Sequence, residues 1–97
     1  MKYYIEIKPG AEQDLEYYNT YIQKIIANAI DTHLSYDANI ETKKKKELRD
    51  NPFGDWELKI GNYRVFYEIK EDNNVNILAI GHKEHNVLFI RNKEVEL

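Results

Sequence analysis

Apolar and polar residues alternate along "KYYIEIK" near the N-terminus, and the run stops at Pro9-Gly10, which predicts a first strand. The period then becomes helical. Leu15, Tyr18, Ile22, Ile25/Ile26, Ala29 and His33/Leu34 recur at three- and four-residue steps. Asn19-Thr20 interrupts that stripe with residues that favour caps over helix interiors, so the spacing predicts two helices, over 11–18 and 21–35. Residues 36–55 are polar, without sustained periodicity, and contain the turn cluster "DNPFGD". Connections of that length are often functional. "WELKI", "YRVFYEI" and "VNILAIG" follow, separated by "GN" and "KEDNN", and predict a three-stranded antiparallel meander with a tight Gly61-Asn62 turn. "HKEHN", "VLFIR" and a short tail end the chain, "FIRNKEVEL" reading as an edge strand open to an added partner strand. The order β-α-α-β-β-β with a C-terminal extension implies an α+β two-layer fold.

Strand alternation sorts the meander into faces. Trp56, Leu58 and Ile60 form one set, with Tyr63, Val65, Tyr67 and Ile69 beside them, and the helices are expected to cover that side. Glu57, Lys59, Arg64 and Phe66 then share the opposite face, expected to be open. Arg64 sits mid-meander, where β-branched or aromatic residues suit the strand better. One reading is a cross-strand pair with Glu57 or Glu68, worth a few tenths to about 1 kcal/mol. The other is a rigid platform of cations beside an aromatic ring, suited to phosphates and bases because the planar guanidinium holds a phosphate bidentately.

Composition narrows the classes. The 97 residues suffice for one domain, expected over 1–97, and the apolar share of 42% supports a single core. No cysteine is present, so disulfide frameworks and thiolate metal sites are excluded. The longest apolar runs fall far short of a membrane span, and the N-terminus lacks a signal-peptide pattern, so a soluble cytoplasmic protein is expected. The formal net charge of −3 hides an asymmetry. Residues 1–42 carry three Lys against seven acids, whereas residues 43–64 carry seven Lys/Arg against four. A polyanion-binding face would be built from that middle segment.

"WELKIGNYRVFYEI" followed by "EDNNVNILAIGHKEH" resembles the RelE/ParE superfamily of toxins from bacterial and archaeal toxin–antitoxin modules, in its W-E-L-[RK]-I-G-x-Y-R-V-x-Y-E-I hairpin and a next strand ending in A-I-G-x-[KR]. "KKKKELRDNPFGD" resembles the family's connection into that hairpin, and the likeness spans essentially the whole chain. It implies a twisted antiparallel sheet with two N-terminal helices on one face, a cognate antitoxin as partner and one of two activities. RelE-like members cleave mRNA in the ribosomal A site, contacting ribosome and mRNA, whereas ParE-like members inhibit DNA gyrase without cutting nucleic acid. A third outcome is a weakly toxic or inactive homologue, since fold alone does not confer function.

The nuclease branch implies a metal-independent endoribonuclease without cofactors. Attack of a ribose 2′-OH on the adjacent phosphate needs a base, cations for the developing charge and an acid for the leaving 5′-oxygen. By position, Arg64 matches the Arg of Y-R-V-x-Y, Lys59 the basic residue of the W-E-L-[RK] strand, and Lys83 the basic residue after A-I-G. Arg64 would steady the phosphate, and Lys59 would serve as base on condition that neighbouring cations lower its pKa. Glu57 stands where some members have a second basic residue and related nucleases a Glu base. Phe89 lies near the position of a stacking Tyr and offers no hydroxyl, leaving His82 or His85 as acid.

The remaining signals carry two readings each. His82 and His85 form a solvated loop or part of the nuclease site, and their spacing alone makes a poor metal site. Lys43, Lys44, Lys45 and Lys46 are a solvated run or contacts to rRNA phosphates. His33 belongs to the helical apolar stripe. The pairs Tyr3-Tyr4 and Tyr17-Tyr18 read as core and rim.

Overall fold

The computed structural model describes residues 2–95. β1 (Tyr4–Ile7) leads through Pro9 into α1 (Pro9–Glu16), and α2 (Thr20–Leu34) follows. Pro9 at the start of α1 tolerates the missing N–H that any first-turn residue leaves unused. The break between the helices falls at Asn19, whose side chain accepts the Ile22 N–H at 2.9 Å and caps α2. The two helices end one or two residues earlier than their periodicity predicted.

The long connection holds an unpredicted short strand, β2 (Lys45–Glu47). β3 (Trp56–Ile60), β4 (Tyr63–Lys70) and β5 (Asn74–Glu84) form the expected meander, with a 3-10 turn at Glu71–Asn73. Gly61 turns the β3–β4 hairpin at φ 57°, a conformation glycine adopts without steric cost. β6 (Val87–Ile90) and β7 (Lys93–Val95) continue the sheet as a hairpin, so the edge expected of the C-terminal segment is two strands; its last two residues lie outside the described range. The strand order is β2-β3-β4-β5-β6-β7, with β1 parallel to the first part of β5.

Beneath α1 and α2, Leu58, Val65, Tyr67, Val75, Ile77 and Ile80 are wholly buried with Ile26 and Leu34. Ile77 and Ile80 reach the same face despite odd spacing because a bulge opposite Phe66/Tyr67 inserts an extra residue into β5. Asp14 of α1 locks that irregularity. It is buried, accepts the Ile80 N–H at 3.0 Å and pairs with Arg91 Nε at 2.9 Å. Burial pushes its carboxyl above the usual range, and the Ile80 N–H and Arg91 pull against that.

The opposite face is not open, contrary to the sequence expectation. Phe66, Ala79 and Leu88 are buried there as a second small core, with Leu48 and Phe53 of the connection and Ile90 and Val95 of the last hairpin packed on it. Gly81 permits this, since a β-carbon there would collide with the Phe89 carbonyl. Among the described residues, no helix is long and apolar enough to cross a membrane.

Candidate functional site

The second face carries a pair of cations that only the strand register reveals. Lys59 faces Arg64 across β3–β4, and Arg64 faces Gly81 across β4–β5. On the other side the Lys59 N–H donates to the Lys44 carbonyl at 2.7 Å, extending the β2–β3 register. Lys59 and Arg64 therefore stand side by side on neighbouring strands, whereas Lys44, just before β2, lines a cleft with His33 and Tyr36 on the α2 side and its charge acts on His33. Lys46 faces Glu57 in the adjacent row. Lys83 shares this face with its register partner Leu88, near the Gly61–Asn62 turn.

Arg64 is only 8% exposed. Its Nη1 donates to the carbonyls of Gly61 at 2.8 Å and Tyr63 at 2.9 Å, so the guanidinium is fixed by its own hairpin turn. Its Nε lies 3.5 Å from Glu57 Oε1, an ion-pair distance at which the buried N–H lacks a hydrogen-bond partner. Lys59 is exposed at its side. The arrangement is one buried, hydrogen-bonded cation beside the exposed Lys59, with a single carboxylate, Glu57, at hand. It can hold an anion and offers both a proton acceptor and an ammonium donor.

Other predicted residues fall elsewhere. Phe66 is wholly buried in the second core and offers no ring to a base. Lys45 points to the helix side, where its Nζ binds the carbonyls of His33 at 3.2 Å and Asp37 at 2.5 Å, closing the C-terminal end of α2. Burial lowers its pKa against the pull of Asp37, and it is a structural cap rather than an RNA contact. Lys43 and Lys46 remain exposed. His33 is half-buried, and burial followed by the charges of Lys44 and Lys45 holds its pKa below the usual value.

His82 is a strand residue, not a loop residue, and alternation sends it to the face away from Arg64. There its Nδ1 lies 2.7 Å from the Tyr18 hydroxyl and its Nε2 3.2 Å from Glu84 Oε2. Phe89 stacks on it, with ring centroids 5.6 Å apart, and so also lies away from Arg64. Burial, then the nearby Tyr63, Tyr17 and Asp14, push the Tyr18 phenol up. His85 is exposed in the β5–β6 turn at φ 51°. Neither histidine joins the cationic pair. Sequence reasoning missed Lys44 as Lys59's backbone neighbour because an unpredicted strand makes the connection, and it missed Tyr18 because its partner is 64 residues away.

Comparison with known proteins agrees with the fold. The sequence model of the ParE toxin of type II toxin–antitoxin systems, parDE, matches residues 5–87. No curated protein sequence matches the chain. Among solved structures, the chain is similar to the toxin–antitoxin complex RelBE2 from Mycobacterium tuberculosis, at 24% identity and TM-score 0.73, over 86% of this chain and 100% of that one. The archaeal RelE–RelB complex from Pyrococcus horikoshii follows at 18% identity and TM-score 0.67, over 88% and 99%. The heterotetrameric YoeB–YefM complex from Staphylococcus aureus shows 21% identity and TM-score 0.60, again over 88% and 99%. With a family model covering most of its length and RelE-like folds as its neighbours, the chain belongs to the RelE/ParE superfamily of type II toxin–antitoxin toxins.

Proposed function

We propose that this chain is held in check by a cognate antitoxin protein and, once released, cleaves mRNA on the ribosome in the cytoplasm. The carrying observation is the cross-strand pair of cations Lys59–Arg64. Like charges directly opposite one another destabilise a sheet, and an RNA phosphate supplies the missing counter-charge. The neighbouring folds are found in complexes with antitoxins, which supports the partner.

The chemistry follows from the face. A 2′-oxygen attacks the adjacent phosphorus while the bond to the 5′-oxygen breaks, leaving a cyclic phosphate and a free 5′-hydroxyl. Glu57, beside Arg64, takes the 2′-hydroxyl proton, and the Lys59 ammonium returns one to the leaving oxygen. Arg64, prefixed by its turn carbonyls, stabilises the charge that builds on phosphate without reorganising. Lys43, Lys46 and Lys83 add backbone contacts that weaken with salt.

A second reading, inhibition of DNA gyrase by protein binding, is favoured by the match to the ParE model and by the burial of Arg64. One experiment separates the two. The chain is induced without antitoxin while mRNA 5′ ends are mapped and gyrase supercoiling is assayed. New ends in translated frames that vanish in Lys59→Ala support cleavage. Intact mRNA with lost supercoiling moves the assignment to gyrase, and neither effect leaves an inert member of the superfamily.

A further inference from the structure

A cleft lies on the helix side of the Gly61–Asn62 turn, walled by Tyr17, Tyr18, Tyr63 and His82. Its walls are fixed. Tyr18 meets Tyr17 and Tyr63 edge-on, with centroids 5.2 Å and 5.4 Å apart, and its hydroxyl holds the His82 ring. Tyr17 is 47% exposed and keeps part of its ring accessible. The rim is polar and mixed in sign: exposed amides of Asn62 and Asn92, the Glu84 carboxylate and Lys83.

Resting on the RNA-cleavage reading, we infer that this cleft is a base-binding subsite, taking one nucleobase of the single strand whose phosphate meets Arg64 and Lys59. Aromatic walls stack any base, and single-stranded RNA is read by stacking plus hydrogen bonds to exposed base edges. The two amides offer donors and acceptors to such an edge, and Glu84 accepts from a base amino group. A site for phosphate alone would not place a carboxylate on its rim. Lys83 joins the two surfaces. Its N–H donates to the Asn62 carbonyl at 2.8 Å, and the register partners Arg64 and Gly81 lie two residues back from those two along β4 and β5.

The test titrates the full chain with the four nucleoside 5′-monophosphates and with ribose 5-phosphate, following Tyr18, Tyr63 and His82 ring resonances by NMR. Saturable shifts of these rings with nucleotides, and none with ribose 5-phosphate, are expected. Tyr17→Ala is expected to weaken nucleotide binding about fivefold to a hundredfold, and Tyr17→Phe to restore it. Equal responses to ribose 5-phosphate, or silent rings throughout, overturn the subsite. The cleavage reading fails separately: absent mRNA cuts with nucleotides still filling the cleft would sink cleavage alone, whereas cuts with a silent cleft would sink the subsite alone.

Discussion

On the helix-covered face, Leu58, Val65, Tyr67, Ile77 and Ile80 meet Ile26 and Leu34 in a continuous apolar layer, and the Tyr67 hydroxyl donates to the Ala38 carbonyl at 2.7 Å. On the other face a patch of three fully packed residues lies beside facing cations and an arginine N–H without a hydrogen-bond partner. The first face satisfies every group it buries by packing or hydrogen bonding in plain view. The second faces Lys59 with Arg64 and leaves the Arg64 Nε–H unpartnered despite the ion pair with Glu57, an arrangement that stability alone does not favour.

That contrast can be broken most forcefully in the cores. Leu58→Ala is expected to cost about 2–5 kcal/mol and Phe66→Ala about 3–5 kcal/mol in urea unfolding. A neutral Phe66→Ala would mean that the second patch is a platform and not a core. Next comes Lys59→Ala, expected to lower RNA cleavage about 100- to 1,000-fold while raising stability by a few tenths of a kcal/mol through relief of like-charge contact. Lost stability in that variant would argue that the pair is structural.

Asp14 tests the joint between α1 and the β5 bulge. Asp14→Ala strands the Ile80 N–H and is expected to cost about 1–3 kcal/mol, whereas Asp14→Asn keeps an acceptor and should lose less. Equal losses would assign the effect to Arg91. Within the lysine run, Lys45→Ala is expected to destabilise by about 1–3 kcal/mol, and Lys43→Ala by less than about 0.5 kcal/mol, as thermal melts would show. The smallest effect is a pH slope. Because the folded His33 pKa lies below its unfolded value, the unfolded chain binds more protons between the two. Stability therefore falls as pH drops through the ordinary histidine range, about 6.5. His33→Gln should flatten that segment of the profile.

Much of the architecture was legible in the chain. The alternation of "WELKI" and "YRVFYEI", the Gly61-Asn62 turn and the cap at Asn19 are local signals, each carried by residues a few positions apart. They determined the order of β1, the two helices and the β3–β5 meander, the helix-side face of β3 and β4, and the placement of Lys59 and Arg64 together. The cover on Phe66 was not legible, because Leu48, Phe53 and Leu88 come from segments whose local pattern says nothing about where they land. The same holds for Lys45, one of four identical neighbours, which is singled out only by the His33 and Asp37 carbonyls it reaches. His82, expected in a loop, lies in β5 instead, where strand parity and not proximity in sequence to Lys83 decides which way its side chain points. Short-range chemistry and periodicity thus lie in the sequence by itself, whereas burial, facing charges and the Tyr18–His82 contact depend on which distant strands share a register, and only the tertiary structure decided those.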